Sequence, residues 1–380
     1  MIAKTSKNST FIIFILLLYL IPRGLENTTY VNIDSIKILI LFLKKISYSM
    51  ALAMCLINAI EKKKISVKYL LIIVTVLLYI WYESFVKDRN SLFAVIIFSL
   101  LIKENDFDIY IKYFLRTSII VYFFTIISSL LGLIENVEKV TERLGYILVR
   151  SSMGFTYPGQ MIMSLIPIVF MYYYRRNVKW VESLFWLLLD FLVYIKCQTI
   201  MGTVLIALFI IIYHLIMSIP KIRNVILLKS KWLKYIPIIS FLITILFVYL
   251  KRINNIMGII IDLICNGRFN VSNIIIDSYG IKLFGTNFVN NQTYYYEILD
   301  SEYLLMLVGP GIIYTFICLL LGIVLMEYSQ SKKNYKLSLI LVCCFINAIV
   351  NNGIFNIVMN PFILLLVPAI KNKLQKRICL

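Results

Sequence analysis

The chain has 380 residues, of which 61% are hydrophobic and 15% charged, with a formal net charge of +19. A mean hydropathy of +0.88, and far fewer charges than the roughly 25% of a soluble domain, exclude the soluble globular class. Runs of about 20 apolar residues recur, long enough to cross a bilayer as helices, and they lack the alternation of barrel strands. The composition therefore predicts an all-α, polytopic integral membrane protein.

In chain order, twelve spans are predicted, at roughly 9–22, 36–60, 66–82, 90–102, 115–134, 159–174, 181–195, 199–219, 233–250, 302–326, 336–351 and 353–370. The first has Lys4 and Lys7 before an apolar stretch, as a signal peptide does, but no small-residue cleavage site follows, so it is read as a retained span. Span two carries Lys44 and Lys45 and is read as starting in the membrane interface. With both termini on the cytoplasmic side, 24 of the 38 Lys and Arg fall inside and 11 outside, with three in span two. That bias follows the positive-inside rule. It accounts for the basic charge without nucleic acid and places the protein in the cytoplasmic (inner) membrane as a multi-pass protein.

Two outer connections are long for a helix bundle. In the first, 135–158, Val137, Val140, Leu144, Ile147 and Leu148 recur at helical spacing, with Glu138, Glu142 and Arg143 on the other face. This predicts an amphipathic helix on the membrane surface, with Asn136 as its N-cap. In the second, 251–301, lying between spans nine and ten, a short interfacial or re-entrant helix over Ile253 to Ile264 is expected. A turn at Gly267-Arg268 and a second short helix through Asp277 follow. No internal repeat or separate soluble domain is evident, so 1–380 reads as one membrane domain.

The stretch Arg150 to Gln160 interrupts this apolar chain. Pro158 suits the first turn of span six, where its missing N–H costs nothing. The N–H groups of Gly159, Gln160 and Met161 would then point outward at a helix start, a ready anion site. Gly154 lets the chain turn back so that Arg150 approaches the same point, and a guanidinium matches phosphate oxygens in pairs. The alternative is an interfacial arginine on lipid headgroups. Gly267-Arg268 repeats the pattern, and two outer arginines suit a diphosphate.

Asp300 and Glu302 stand at the mouth of span ten. Such spacing can hold a divalent metal or supply a base, or it can simply cap a solvated span boundary, which is the preferred reading; no metal or cofactor is expected. Gly309-Pro310-Gly311 is expected to loosen that span. Asn347 and Asn351, and Asn352, Asn356 and Asn360, are spaced by four, which puts each set on one helical face. These amides suit sugar hydroxyls or interhelical packing rather than a proton relay. Of the seven cysteines, Cys197 and Cys265 are outside, leaving a bridge between them open, and the single histidine, His214, lies near the inner end of span eight.

In the order of these landmarks the chain resembles the Wzy-type polysaccharide polymerases, which join O-antigen or capsule repeat units. The resemblance covers most of the chain. Its residues are Arg150, Gly154, Phe155 and Pro158, then the short turn from Lys196 to Met201, then Gly267-Arg268 and Leu283-Phe284-Gly285. Tyr303 beside an acid and Asn360 before Phe362 complete it. Where that family often has His-Pro-Asn, this chain has Tyr157-Pro158-Gly159; where it often has Ser-Arg, this chain has Cys197-Gln198-Thr199.

The resemblance implies glycosyl transfer on the outer face of the membrane between oligosaccharides linked to undecaprenyl diphosphate. A flippase and a chain-length regulator are the implied partners, alongside the lipid bilayer. Arg150 and Arg268 would stabilise the diphosphate leaving group, and Asp300 or Glu302 would accept the proton. Gly154, Tyr157, Gly159, Gln160, Gly267, Tyr303 and Asn360 would contact the substrate. A flippase of the same lipid-linked sugar, or an O-antigen ligase-like enzyme, is the alternative.

Overall fold

Helix Trp180–Cys197 illustrates the physics of the whole fold. Val181, Leu184, Phe185, Leu188, Phe191, Leu192 and Ile195 are exposed, while Ser183, Trp186, Asp190, Val193 and Cys197 are buried. Apolar residues face out and polar ones face in, the reverse of a water-soluble helix and the pattern expected where lipid is the solvent. The computed structural model describes residues 7–61, 91–143, 146–222, 230–286, 288 and 299–378. It is 76% helical.

Two compact units emerge, Met1–Ala207 with Phe355–Pro368, and Leu208–Ile354 with Ala369–Leu380. The first contains α1 (Lys7–Leu25), α2 (Asp34–Glu61), α3 (Ser91–Leu101), α4 (Phe107–Leu130), β1 (Glu138–Arg143), β2 (Tyr146–Ser151), α5 (Pro158–Arg175) and α6 (Trp180–Cys197). Helix α7 (Ile200–Ser218) starts there and ends in the second unit, as does α14 (Leu366–Ile378). The second unit contains α8 (Ile236–Arg252), α9 (Ile256–Ile264), α10 (Arg268–Tyr279), α11 (Glu302–Val308), α12 (Ile312–Ser331) and α13 (Tyr335–Asn347). In the first unit α1 packs on α2 and α4, α4 on α5, and α5 on α6; in the second, α8 is central and touches α9 through α13.

By length and composition, five helices among the described residues can cross a membrane: Asp34–Cys55, Glu104–Leu130, Ile200–Ser218, Leu233–Arg252 and Ile312–Ser331. A sixth span is formed if α9 and α10, bent by 107° at their break, count as one broken or re-entrant element. That pair matches the expected helix, turn and second helix. The expected span at 66–82 lies outside the described residues, as does most of 287–298 within the large loop.

Four expectations about local structure change. The segment 135–158 is not an amphipathic helix. Glu138 to Arg143 pairs antiparallel with Tyr146 to Ser151, Val140 facing Val149, and cross-strand pairing of β-branched residues outweighs the 3–4 spacing. Asn136 caps no helix; its Oδ1 accepts from the Ser151 hydroxyl and the Met153 N–H, both at 2.8 Å, bracing the hairpin base. Span ten is not merely loosened but broken, since Gly309-Pro310-Gly311 separates α11 from α12. Span twelve is not a continuous helix: residues 351–360 are non-helical, with turns at 354–355 and 357–359, Pro361–Leu365 is a 3-10 turn, and only then does α14 begin. Asn352, Asn356 and Asn360 therefore share no α-helical face.

Candidate functional site

The hairpin aims Arg150. Strand alternation puts Val140, Ile147 and Val149 on one exposed face and Arg150, opposite Lys139, on the other. Strand β2 packs on α6. There the Arg150 Nε donates to the Cys197 carbonyl and its Nη2 to the Thr199 hydroxyl, each at 2.9 Å. Cys197 ends α6, and Gln198 follows in the left-handed region with φ 48°, so the chain reverses within two residues. The last carbonyls of a helix lack partners and carry the negative end of its dipole. A guanidinium satisfies both needs.

The rest of the patch closes around this contact. Gly154 has φ +87°, and a Cβ there would stand 2.8 Å from Ile134 Cδ1 and 3.0 Å from the Thr125 carbonyl. Its own carbonyl accepts from the Thr29 N–H at 2.8 Å. Pro158 opens α5, with extended Tyr157 before it. The Gln160 N–H is bonded to the Tyr157 carbonyl at 3.0 Å, so one of the three donors expected to be free is already used. Gln160 itself is buried, its amide 3.4 Å from the Ser164 hydroxyl. At Gly159 a Cβ would lie 2.9 Å from the Tyr157 ring and 3.9 Å from Thr199 Oγ1. Thr199, 49 residues from Arg150 in sequence, thus bonds to it and lies near Gly159 at the start of α5.

The second cluster is built around Arg268, which follows Gly267 in the left-handed region, φ +75°. A glycine offers no capping side chain, and Asp262 takes that role. Its Oδ1 accepts from the Phe269 and Asn270 N–H groups at 2.9 and 3.1 Å, while its Oδ2 pairs with Lys251 at 3.3 Å. Helix α10 is thereby fixed at its first turn. Arg268 then reaches Asp300 at 3.0 Å, the Asn351 side chain at 2.8 Å and the Val350 carbonyl. Asn351 in turn donates to Asn347 at 2.7 Å, so this asparagine pair is joined to the arginine.

The boundary at span ten is not a solvated pair of acids. Asp300 is ion-paired, and Glu302 is buried and accepts from the Gly353 N–H at 2.5 Å. Tyr303 is 1% exposed and donates to the Phe345 carbonyl at 3.1 Å. It belongs to the core of the second unit, not to an open surface. Leu283-Phe284-Gly285 has a structural role as well. The Lys282 and Leu283 carbonyls accept the Ile312 and Ile313 N–H groups, each at 3.2 Å, at the start of α12. A Cβ on Gly285 would lie 1.8 Å from the Gly309 carbonyl, so only glycine fits there. Asn360, 2% exposed, precedes the 3-10 turn in the first unit.

Cys197 and Cys265 are free thiols, and no group of three His, Cys, Asp or Glu able to hold a metal occurs among the described residues. Sequence reasoning missed Thr199, Asp262 and Asp190. The last is a buried acid within α6, signalled by one charge in the run Leu184 to Ile195.

Fold and clusters together define a mostly helical membrane protein with polar sites held inside it. No family model matches the chain, and neither the curated proteins nor the solved structures yield a significant match.

Proposed function

We propose that the protein is a polysaccharide polymerase, a glycosyltransferase that joins lipid-diphosphate-linked oligosaccharide repeats on the outer face of the cytoplasmic membrane. The reading rests on one observation: Arg150 is seated on the Cys197 carbonyl and Thr199, beside the start of α5 at Gly159. A cation and a helix start that share a point suit a leaving diphosphate. In the transfer, the acceptor hydroxyl oxygen bonds to the sugar C1, the C1–O bond to the diphosphate breaks, and charge develops on the departing oxygens. Fixed donors at that place lower the barrier because they need no reorganisation. A membrane setting fits a substrate carried on a polyprenyl lipid.

Arg268, in the second unit, is held by Asp300 through their ion pair, a role for Asp300 that replaces the base expected from sequence. Gly154 and Gly159 give the backbone room, and Tyr157, Gln160 and Gly267 frame the two turns.

The decisive experiment supplies purified protein with lipid-linked repeats and follows polymer ladders on gels. Arg150→Ala should abolish ladders while leaving single repeats and protein level intact, a loss of about 2.7–4 kcal/mol as for one oxyanion donor. Arg150→Lys should restore short ladders only, because a point charge cannot engage two oxygens at once. Normal ladders from Arg150→Ala would overturn the assignment. In cells, repeats stranded on the inner leaflet would point to a flippase instead.

A further inference from the structure

One apolar surface lies outside both arginine clusters. On the hairpin, Val140, Ile147 and Val149 are 69%, 76% and 54% exposed and share one face. Lys139, Thr141, Leu148 and Arg150 alternate onto the other face and are half-buried, on the strand pair whose β2 packs on α6. A two-stranded hairpin alone is marginal in water and needs its apolar face covered.

The hairpin base is fixed, so this face has one direction. The Val137 N–H donates to the Ser152 hydroxyl at 2.9 Å, and the Ser152 N–H to the Val137 carbonyl at 3.0 Å. Just before it, the Glu135 carbonyl accepts from the Thr29 hydroxyl at 2.8 Å, and the Ser128 hydroxyl accepts from Tyr30 at 2.7 Å. The base is thereby tied to the end of α4 and to the turn after α1. Helix α4 lies in one of the five segments able to cross a membrane. Its Ile120, Phe124 and Ile127, with the cap residue Leu131, are exposed at i, i+4, i+7 and i+11, a single lipid-facing stripe. Apolar exposure continues past the helix end at Leu133. Val140 stands three extended residues, about 10 Å, beyond the fixed base at Val137. On α6, which supports the other face of the hairpin, Leu188, Phe191, Leu192 and Ile195 are exposed as well.

We propose that the hairpin is a lipid-contact foot: Val140, Ile147 and Val149 seat it in the headgroup and glycerol layer of the bilayer where α4 leaves the membrane. The partner is a phospholipid surface, and the inference does not depend on the polymerase reading. The depth follows from chemistry. The edges of the two-stranded sheet carry N–H and C=O groups that no third strand pairs and that hydrocarbon could not satisfy. Glu138 is exposed and by alternation shares the face of Val140. Both features hold the foot in the interface, where apolar side chains sink only about 5–10 Å. Arg150 is on the opposite face, so the seat turns it away from lipid and towards the Cys197 carbonyl at the end of α6.

The test uses the full chain in single-copy nanodiscs of phosphatidylcholine and phosphatidylglycerol. A fluorescent amino acid with solvent-sensitive emission replaces Ile147, an exposed position where the fold tolerates it. Its emission should shift to the blue. Lipids spin-labelled near the glycerol should quench it more than lipids labelled at the chain end, and more than aqueous iodide. Emission as in water, with iodide the strongest quencher, would overturn the proposal. So would blue-shifted emission that no lipid quenches, because a protein surface would then cover the face. A second measurement follows hydrogen exchange in a variant carrying Val140→Ser, Ile147→Ser and Val149→Ser. Amides of 138–143 and 146–151 should exchange severalfold faster than in the wild type in the same discs, with α4 and α6 unchanged. Wild-type exchange throughout the hairpin would sink the idea. If α4 and α6 loosen too, the variant has lost its fold, and the fluorescence of the singly substituted protein decides.

Discussion

Arg150 and Arg268 look alike in the sequence, each an arginine near a glycine turn in a long outer connection, yet the fold treats them differently. Arg150 is aimed by a strand and docks on a helix C-terminus through a carbonyl and a hydroxyl, both uncharged. Arg268 is aimed by a helix start and docks on a carboxylate, Asp300, as well as on Asn351 and the Val350 carbonyl. Carbonyls and hydroxyls orient a guanidinium; a carboxylate also neutralises it. The comparison teaches that Arg150 ties β2 to the turn between α6 and α7, whereas Arg268 ties α10 to the segments at 300 and 350. A diphosphate at Arg268 would have to share the guanidinium with Asp300.

Stability measurements can break that contrast. Arg268→Ala should lower the thermal or denaturant stability of detergent-solubilised protein by about 2 kcal/mol, less than the 3–5 kcal/mol for a fully buried pair, since Asp300 stays 30% exposed. Arg150→Ala should lower it less, by about 1 kcal/mol for the two uncharged acceptors it leaves. Equal losses in the two variants would erase the distinction. Asp262→Ala should come next, at roughly 1 kcal/mol as for a lost N-cap, because two N–H groups of α10 and Lys251 lose their partner. Asp262→Asn, which keeps an acceptor oxygen, should recover most of it. If Asp262→Ala leaves stability unchanged, the cap does not set Arg268.

Much of the helical architecture was legible because lipid-facing side chains are almost all apolar: Leu184, Leu188 and Phe191 are exposed and announce α6 as clearly as a core would. The bent pair α9 and α10 was legible as two short helices about a turn from the brevity of its apolar run and from Gly267. The hairpin was not, because five apolar positions over twelve residues satisfy both periods, and only the pairing of Val140 with Val149 decides. Residues 351–360 were misread for the opposite reason. Their asparagines were given a helical face, although Gly353, with φ +115°, and Pro361 both favour turns. At the site, the glycine turns and Pro158 were readable as local geometry. The partners of each arginine were not, since Thr199, Asp300 and Asn351 meet them only through tertiary packing. Tyr303 shows the same gap, its position at a span mouth saying nothing about which way its ring packs.

The smallest expected effect uses a third charged cluster, one with a carboxylate between two cations. Glu26, in the turn after α1, pairs with Arg23 and, at 2.5 Å, with Lys44 ten residues into α2. Lys44 is therefore matched within the protein, and the exposed Ile38, Leu39, Leu41 and Phe42 accompany it along the first turns of α2. Burial opposes ionisation of Glu26, but the charges of Arg23 and Lys44 outweigh it and hold the carboxyl below the ordinary glutamate value. A carboxyl whose folded value is depressed contributes stability that is fully present above its unfolded value, about 4.3, and is lost as pH falls through the folded value. Unfolding of the wild-type protein should thus become easier as pH drops below about 4.3. Glu26→Gln should be flatter there and slightly less stable near neutrality. Parallel pH curves for the two proteins would mean that Arg23 and Lys44 do not bind Glu26 more strongly in the fold than in the unfolded chain. The carboxylate at Asp300 would then be the one acid, of these two, whose pairing with a cation counts toward holding its unit together.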